Sequence, residues 1–244
     1  CGFAHVSRRE RARFEQAVAA FDSAISIDEG FALAHYGRAH AYYLAMVEQW
    51  LPEPTAFPEF RRSASRAMEL DPGSCGSQMM CGLALLFAGD LAAAYTHVRE
   101  AVAINPSSCL ALGLLGQLSL MRGQAQQAIA HLEEALRLGP RDPGAWLHYV
   151  TLAMAYFALR QPDAGAENCR HAITLRTDSA LPRVTLIACL QEAGKEAECA
   201  AATRELLALH PEFRISAFLR LVRTAHPDDR QRLAAALAAS GLSD

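Results

Sequence analysis

A chain of 244 residues with 23 Lys and Arg against 26 Asp and Glu has a net charge of −3, without the basic excess needed to track a phosphate backbone, which argues against a nucleic-acid partner. Hydrophobic residues reach 52% with aromatics at only 7%, a mixture rich in Ala and Leu that favours helices packed through small residues over β-rich architecture. Polar residues interrupt every apolar run before the roughly 18 residues of a membrane span, so no such span is expected.

Cys1 admits two readings: a processed lipoprotein begins with Cys, and a fragment begins anywhere. Because the text starts part-way through a repeated unit, the fragment is the reading preferred. Helices are expected over residues 8–28 and 31–48, with Ala17, Phe21, Ala24 and Glu29 at the small, aromatic, small and terminal places of a partial first unit. An insertion near 51–59 follows, where Pro52, Pro54 and Pro58 are expected to forbid a continuous helix. The next helices are expected at 59–70, 75–88, 91–104, 109–122, 125–138, 143–159, 163–176, 180–193 and 196–209.

A period organises them. Pro72, Pro106 and Pro140 lie 34 residues apart, each ending a similar phrase (MELDP, VAINP, LRLGP), with Ala67, Ala101 and Ala135 five residues earlier. Gly82 and Gly116, Gly89 and Gly123, and Ala94 and Ala128 keep the same spacing. Thr177 stands at the next proline place, 37 residues on, which puts an excess of three around Arg160–Asp163. Trp146 falls on an aromatic place and Gly194 on a turn glycine. A 34-residue helix–turn–helix period with small residues at these places resembles the tetratricopeptide repeat. The expected fold is all-α: a right-handed tetratricopeptide-repeat superhelix, or α-solenoid, of about five to six helix pairs over residues 1–211. Two C-terminal capping helices, near 212–224 and 227–240, occupy 212–244; there Arg214, Arg220, Arg223, Arg230 and Arg232 lie beside Ile215, Phe218, Leu219, Val222, Leu233 and Leu237. His226-Pro227-Asp228-Asp229 suits the start of the second.

Four phrases carry a narrower likeness: FDSAISIDEGFALAHYGRAHAYY, the proline-bearing insert before ASRAMELDP, LRLGPRDPGAW, and the tail PEFRISAFLRLVRTAHPDDRQRLAAALAASGL. Together they resemble the C-terminal repeat region of bacterial class III adenylate or guanylate cyclases, and arrays that follow winged-helix domains in transcriptional regulators. That resemblance implies a non-catalytic effector or partner module attached to an upstream output domain, with a cyclase in the parent protein as one option.

Catalytic signatures are lacking. Gly-x-Ser-x-Gly, a phosphate loop, His-Glu-x-x-His and Cys-x-x-Cys do not occur, so the chain is read as no enzyme, with no metal and no cofactor. Of nine histidines, His35 and His40 point to different helix faces, while His97, His131 and His171 are read as recurring repeat positions. Glu133 and Glu134 read as a solvated face. Seven scattered cysteines (1, 75, 81, 109, 169, 189 and 199) suit free, mostly buried thiols in a reducing cytoplasm.

The candidate site is the concave wall lined by the first helix of each unit. Its places read Tyr36, His40 and Tyr43; Met79, Leu83, Leu86 and Phe87; Gln117, Leu120 and Met121; and Leu147, Thr151 and Met154. Lys, Arg and Asn, which would grip a peptide carboxylate, are missing from them. An apolar, Met-rich wall suits an amphipathic helix or non-polar segment, although the same side chains could simply be core. Trp50, Leu51 and Phe57 form a second candidate surface on the insert. The expected partner is a protein or peptide, which includes the parent's own output domain. Homo-oligomerisation through the groove or terminal helices, and a small-molecule sensor built on Tyr36, His40 and Tyr43, are the alternatives.

Overall fold

A computed structural model describes residues 11–48, 50–222 and 226–244. Cys1, the expected helix start at residue 8, and Arg223 fall outside the described residues. Among the described residues all regular structure is helical: α1 (Arg11–Ile27), α2 (Ala32–Val47), α3 (Glu53–Leu70), α4 (Cys75–Phe87), α5 (Leu91–Ile104), α6 (Cys109–Met121), α7 (Ala125–Leu138), α8 (Ala145–Ala158), α9 (Pro162–Leu175), α10 (Ala180–Glu192), α11 (Glu196–Leu209), α12 (Ile215–Leu221) and α13 (Pro227–Ala239). They form two compact units, Cys1–Pro106 and Ser107–Asp244. Within each unit a helix packs on its sequence neighbour, as α2 on α3 or α8 on α9, and first helices also meet one another: α2 with α4, α6 with α8, and α8 with α10.

Local chemistry sets the boundaries. Ser74 and Ser108 cap α4 and α6 by accepting from the amides of Ser77 and Ala111, and Asp90 caps α5 from Ala93 at 2.9 Å. First helices end at residues with positive φ, at Gly89 (91°), Gly123 (79°) and Gly194 (69°), where the missing Cβ makes the left-handed turn inexpensive. Helices of 13 and 14 residues are too short to persist alone, so stability comes from the faces they bury on each other. The period places the residues that allow this. A Cβ on Gly82 would lie 2.6 Å from Val98 Cγ2, and one on Gly116 would lie 2.6 Å from Leu132 Cγ. Ala94, Ala101, Ala128 and Ala135 are fully buried at these thin contacts.

Three expectations need correction. The insert is helical: α3 starts at Glu53 and runs through Pro58. Pro52 is its N-cap, Pro54 sits in the first turn where an amide is unused anyway, and Pro58 is exposed, so water can serve the carbonyl its ring leaves without a donor. Burial of Ala56 and Phe60 outweighs the proline penalty. The three extra residues of the later unit are not at Arg160–Asp163. Two lengthen the linker 139–144 and one lengthens α8, while Arg160 takes the turn-glycine place with φ 59°. Finally, the first C-terminal helix is only seven residues long; its start is met by the chain end, where the Ile215 amide donates to Ser243 O (3.1 Å) and the Ser216 amide to Asp244 Oδ1 (2.9 Å).

Side chains clamp neighbouring helices. Arg38 on α2 donates to Asp22 on α1 (2.7 Å) and to Ser63 (2.7 Å) and Glu59 (2.9 Å) on α3. Arg183 on α10, 5% exposed, binds Glu205 on α11 and the Ser179 carbonyl.

Candidate partner-binding face

In the first unit the inner places of α2 carry a ladder of rings. Tyr36 stacks on His40 (6.2 Å between centroids), His40 on Tyr43 (6.5 Å), and Tyr43 meets Phe60 (5.8 Å) and the edge of Phe87 (6.3 Å). Tyr36 also covers Gly76, since a Cβ there would come within 2.8 Å of its ring. Burial, with Cys75 nearby, pushes the Tyr36 phenol up. Its neighbours on α4 are covered: Met79 and Leu83 are 6% exposed and Leu86 7%, with Phe87 half-buried. Met79, Leu83 and Leu86 therefore belong to the core and offer little surface to a partner.

The insert residues separate. Phe57 joins the same aromatic group, 6.3 Å from both Phe60 and Phe87. Trp50 folds back on the cluster formed by α1 and α2, its amide donating to Ala45 O (2.8 Å), and Leu51 is tied to the same carbonyl.

In the second unit the half-buried inner residues are Gln117, Leu120 and Met121 on α6 and Leu147 and Met154 on α8. Thr151 is 8% exposed and donates to the Leu147 carbonyl (2.9 Å). Counting back from the turn at Arg160, the equivalents of Gln117 and Leu120 are Met154 and Phe157, so Thr151 lies off that row; sequence counting from Pro140 missed this because the extra residues precede it. Phe157, 2% exposed, was not anticipated as an inner residue.

His148 was also missed. Its ring presses on α6 where a Cβ on Gly113 would lie 2.0 Å from Nε2, and its Nδ1 is buried without a hydrogen-bond partner. The signal available in the sequence was a glycine facing a helix of bulky residues. Burial pulls the imidazole below its ordinary value of 6.5, against the opposing pull of Asp142. With the folded value depressed, the unfolded chain takes up the proton first. Stability is therefore intact above pH 6.5 and falls as pH drops below it, by at most about 1.4 kcal/mol per pH unit for one proton. Thermal melts at pH 7 and 5.5 are expected to show a lower Tm at pH 5.5, with a smaller fall in His148→Gln; equal falls would contradict the assignment. His131, lowered by burial too, supplies a remainder.

The recurrence of histidines holds only for His97 and His131. The 37-residue unit puts Asn168, bonded to Ala164 O (2.8 Å), at the next equivalent place, and His171 three residues later stacks on Tyr149 (5.3 Å). His97 bonds Gln78 Oε1 at 2.8 Å. Among the described residues no three His, Cys, Asp or Glu are grouped to hold a metal. All six described cysteines are free; Cys169, Cys189 and Cys199 are buried and the others half-buried. Burial, with Cys189 alongside, pushes the Cys169 thiol well up, away from the reactive thiolate. No helix among the described residues is long and apolar enough to cross a membrane.

Residues 110–152 match the tetratricopeptide repeat family model. No curated protein matches the chain in sequence. Several solved structures share its fold. One is a chain of the APC/C hetero-tetramer Cut9–Hcn1, at 19% identity and TM-score 0.72 over 90% of this chain; this chain spans only 39% of that one. PilW, a type IV pilus biogenesis factor, is 20% identical with TM-score 0.65, over 86% of this chain and 92% of its own. YrrB, described as a TPR protein with an unusual peptide-binding site, is 13% identical with TM-score 0.54, over 84% of this chain and all of its own. The likeness to cyclase-linked and winged-helix-linked arrays has no counterpart among these matches.

Proposed function

We propose that this tetratricopeptide-repeat chain is a scaffold that holds a short amphipathic helix or apolar segment of a protein partner against the first helices of its repeats. The observation that carries the reading is the row of half-buried Leu120, Met121, Leu147 and Met154 beside Gln117 on α6 and α8. Flexible Met and Leu side chains reachable from solvent, with no charged group in the row, fit an apolar stripe spaced at i, i+3, i+4 and i+7. YrrB, of like fold, is described by its peptide-binding site. The partner best suited to the sequence resemblance is a segment of an output domain in the same parent protein, a nucleotide cyclase or a DNA-binding regulator. The free thiols favour a cytoplasmic setting.

The test uses peptides selected from a random-sequence display library on the full chain, measured by calorimetry. Met121→Asp is expected to weaken the selected peptides at least about tenfold, or 1.4 kcal/mol, with the helical circular-dichroism signal unchanged. Unaltered affinity, or loss of affinity together with the fold, would contradict the reading.

A further inference from the structure

The C-terminal helix α13 does not continue the stack. In the regular array a second helix packs on the first helix of its own pair, as α7 does on α6 and α9 on α8. Helix α13, the second of its pair, packs on α12 and more extensively on the first helix α10 of the preceding unit. On α10 every residue from Pro182 to Leu190 is buried, including the inner places Val184 and Ala188, both 0% exposed. The places on α6 equivalent to them are Gly113, buried under His148, and Gln117, half-buried, so only Ala188 is more covered than its counterpart.

What covers them has the chemistry of an amphipathic helix. Leu233 (1%) and Leu237 (0%), four residues apart on one face, join the same core cluster as Val184, Ala188 and the inner residue Met154. Immediately before Leu233 in the chain, Arg232 fixes the register. It donates to Glu192 at the end of α10, to Asp229 on its own helix (3.0 Å) and to the Phe157 carbonyl of α8 (3.1 Å), and lies over the Phe157 ring at 4.7 Å. Phe157 and Glu192 are themselves inner-row places. The Glu192 carboxylate oxygen that receives Arg232 also receives Arg160, 3.1 Å away, so Glu192 has a partner on the preceding turn besides α13.

We propose that the inner face of α10, with the end of α8, is a helix-docking site whose resident occupant is α13 and which accepts in trans a helix bearing the same Arg-Leu-x-x-x-Leu pattern. This rests on the scaffold reading and deepens it: it names the ligand chemistry of the far end of the same inner face. A site filled in cis has a reduced apparent affinity for a second helix, in proportion to the fraction of time it stands open.

The test uses the full chain and a fluorescent synthetic peptide spanning residues 226–242 as the probe. In wild type, hydrogen exchange is expected to show residues 227–239 protected, and anisotropy to show weak peptide binding. Arg232→Ala, and Leu237→Asp as a second variant, are expected to raise exchange in 227–239 while α6–α11 stay protected, and to tighten peptide binding by about tenfold. Two results would overturn the proposal: exchange rising through α8–α11 together with α13 in both variants, which makes α13 an integral part of the fold, or an exposed α13 with no gain in peptide binding. Library peptides that bind elsewhere, or not at all, would sink the scaffold reading at α6 and leave this outcome untouched.

Discussion

Replacing Phe60 by Ala is expected to lower the unfolding free energy of the first unit by about 3–5 kcal/mol. The ring is fully buried on α3 and lies 5.8 Å from Tyr43 and 6.4 Å, edge-on, from Phe87. Removing it takes away the transfer free energy of a whole aromatic side chain and leaves a void among rigid rings, which cannot close by rotamer changes alone. Edge and tilted ring contacts add to the loss. Urea unfolding followed by tyrosine and tryptophan fluorescence gives the number. Half-buried Phe57, one turn earlier and in the same aromatic group, serves as the comparison, with a clearly smaller loss expected for Phe57→Ala. A loss under about 1 kcal/mol for Phe60→Ala would mean that the aromatic group is not the core of that unit.

Gly116→Ala should destabilise the second unit by about 1–3 kcal/mol although the position lies in mid-helix, where Ala is intrinsically favoured over Gly by about 1 kcal/mol. The added Cβ would stand 2.6 Å from Leu132 Cγ, 3.0 Å from its Cδ2 and 3.2 Å from the Ala128 carbonyl oxygen. Leu132 is fully buried, and the carbonyl belongs to the backbone of α7, so relief requires the two helices to separate. The same geometry recurs at Gly82, 2.6 Å from Val98 Cγ2 and 3.1 Å from the Ala94 carbonyl oxygen, so Gly82→Ala should behave alike in the first unit. Gly73→Ala, whose nearest neighbour would be Asp71 Oδ1 at an ordinary 3.7 Å, should be close to neutral. Thermal denaturation of the three variants separates a packing requirement from a general intolerance of substitution. If Gly116→Ala raised the Tm, helix propensity would outweigh helix contact and the physical basis offered for the period would fail.

That period explains why the pairing of helices was readable from residues alone. Gly82, Gly116, Ala94 and Ala128 are small because two helices touch there, and Gly89 and Gly123 are glycines because the turn needs positive φ. A constraint of that kind shows in the text. Arg160 meets the same backbone requirement with a residue that does not advertise it, so the extra residues before it were placed on the wrong side of the turn. The error carried into the inner row, where Thr151 displaced Phe157. The insert misled in the opposite way: three prolines predict a break, yet Pro52 and Pro54 fall where a helix has no use for the amide, and burial of Phe60 decides the rest.

The candidate face was legible in part. Position along a first helix predicts which way a side chain points, and Tyr36, His40 and Tyr43 stack in that order along α2. It does not predict whether another ring lies on top. Gly76 is covered by Tyr36, Gly113 by His148, and Val184 and Ala188 lie in the face covered by α13; each covering group comes from another helix, with no local mark at the position covered. For α13, His226-Pro227-Asp228-Asp229 announces a helix start, and Leu233 with Leu237 announces an apolar face. Neither says which neighbour receives it. Arg232 supplies that information, through partners 40 and 75 residues away in the chain.

The most direct test of the account is a hydrogen-exchange footprint of the full chain with and without a saturating library-selected peptide. The account predicts new protection in residues 109–121 and 145–158, the first helices α6 and α8, with the second helices α7 and α9 unchanged. Protection confined to α7, α9 or the connecting turns would contradict it, because the partner would then lie on the outside of the repeats.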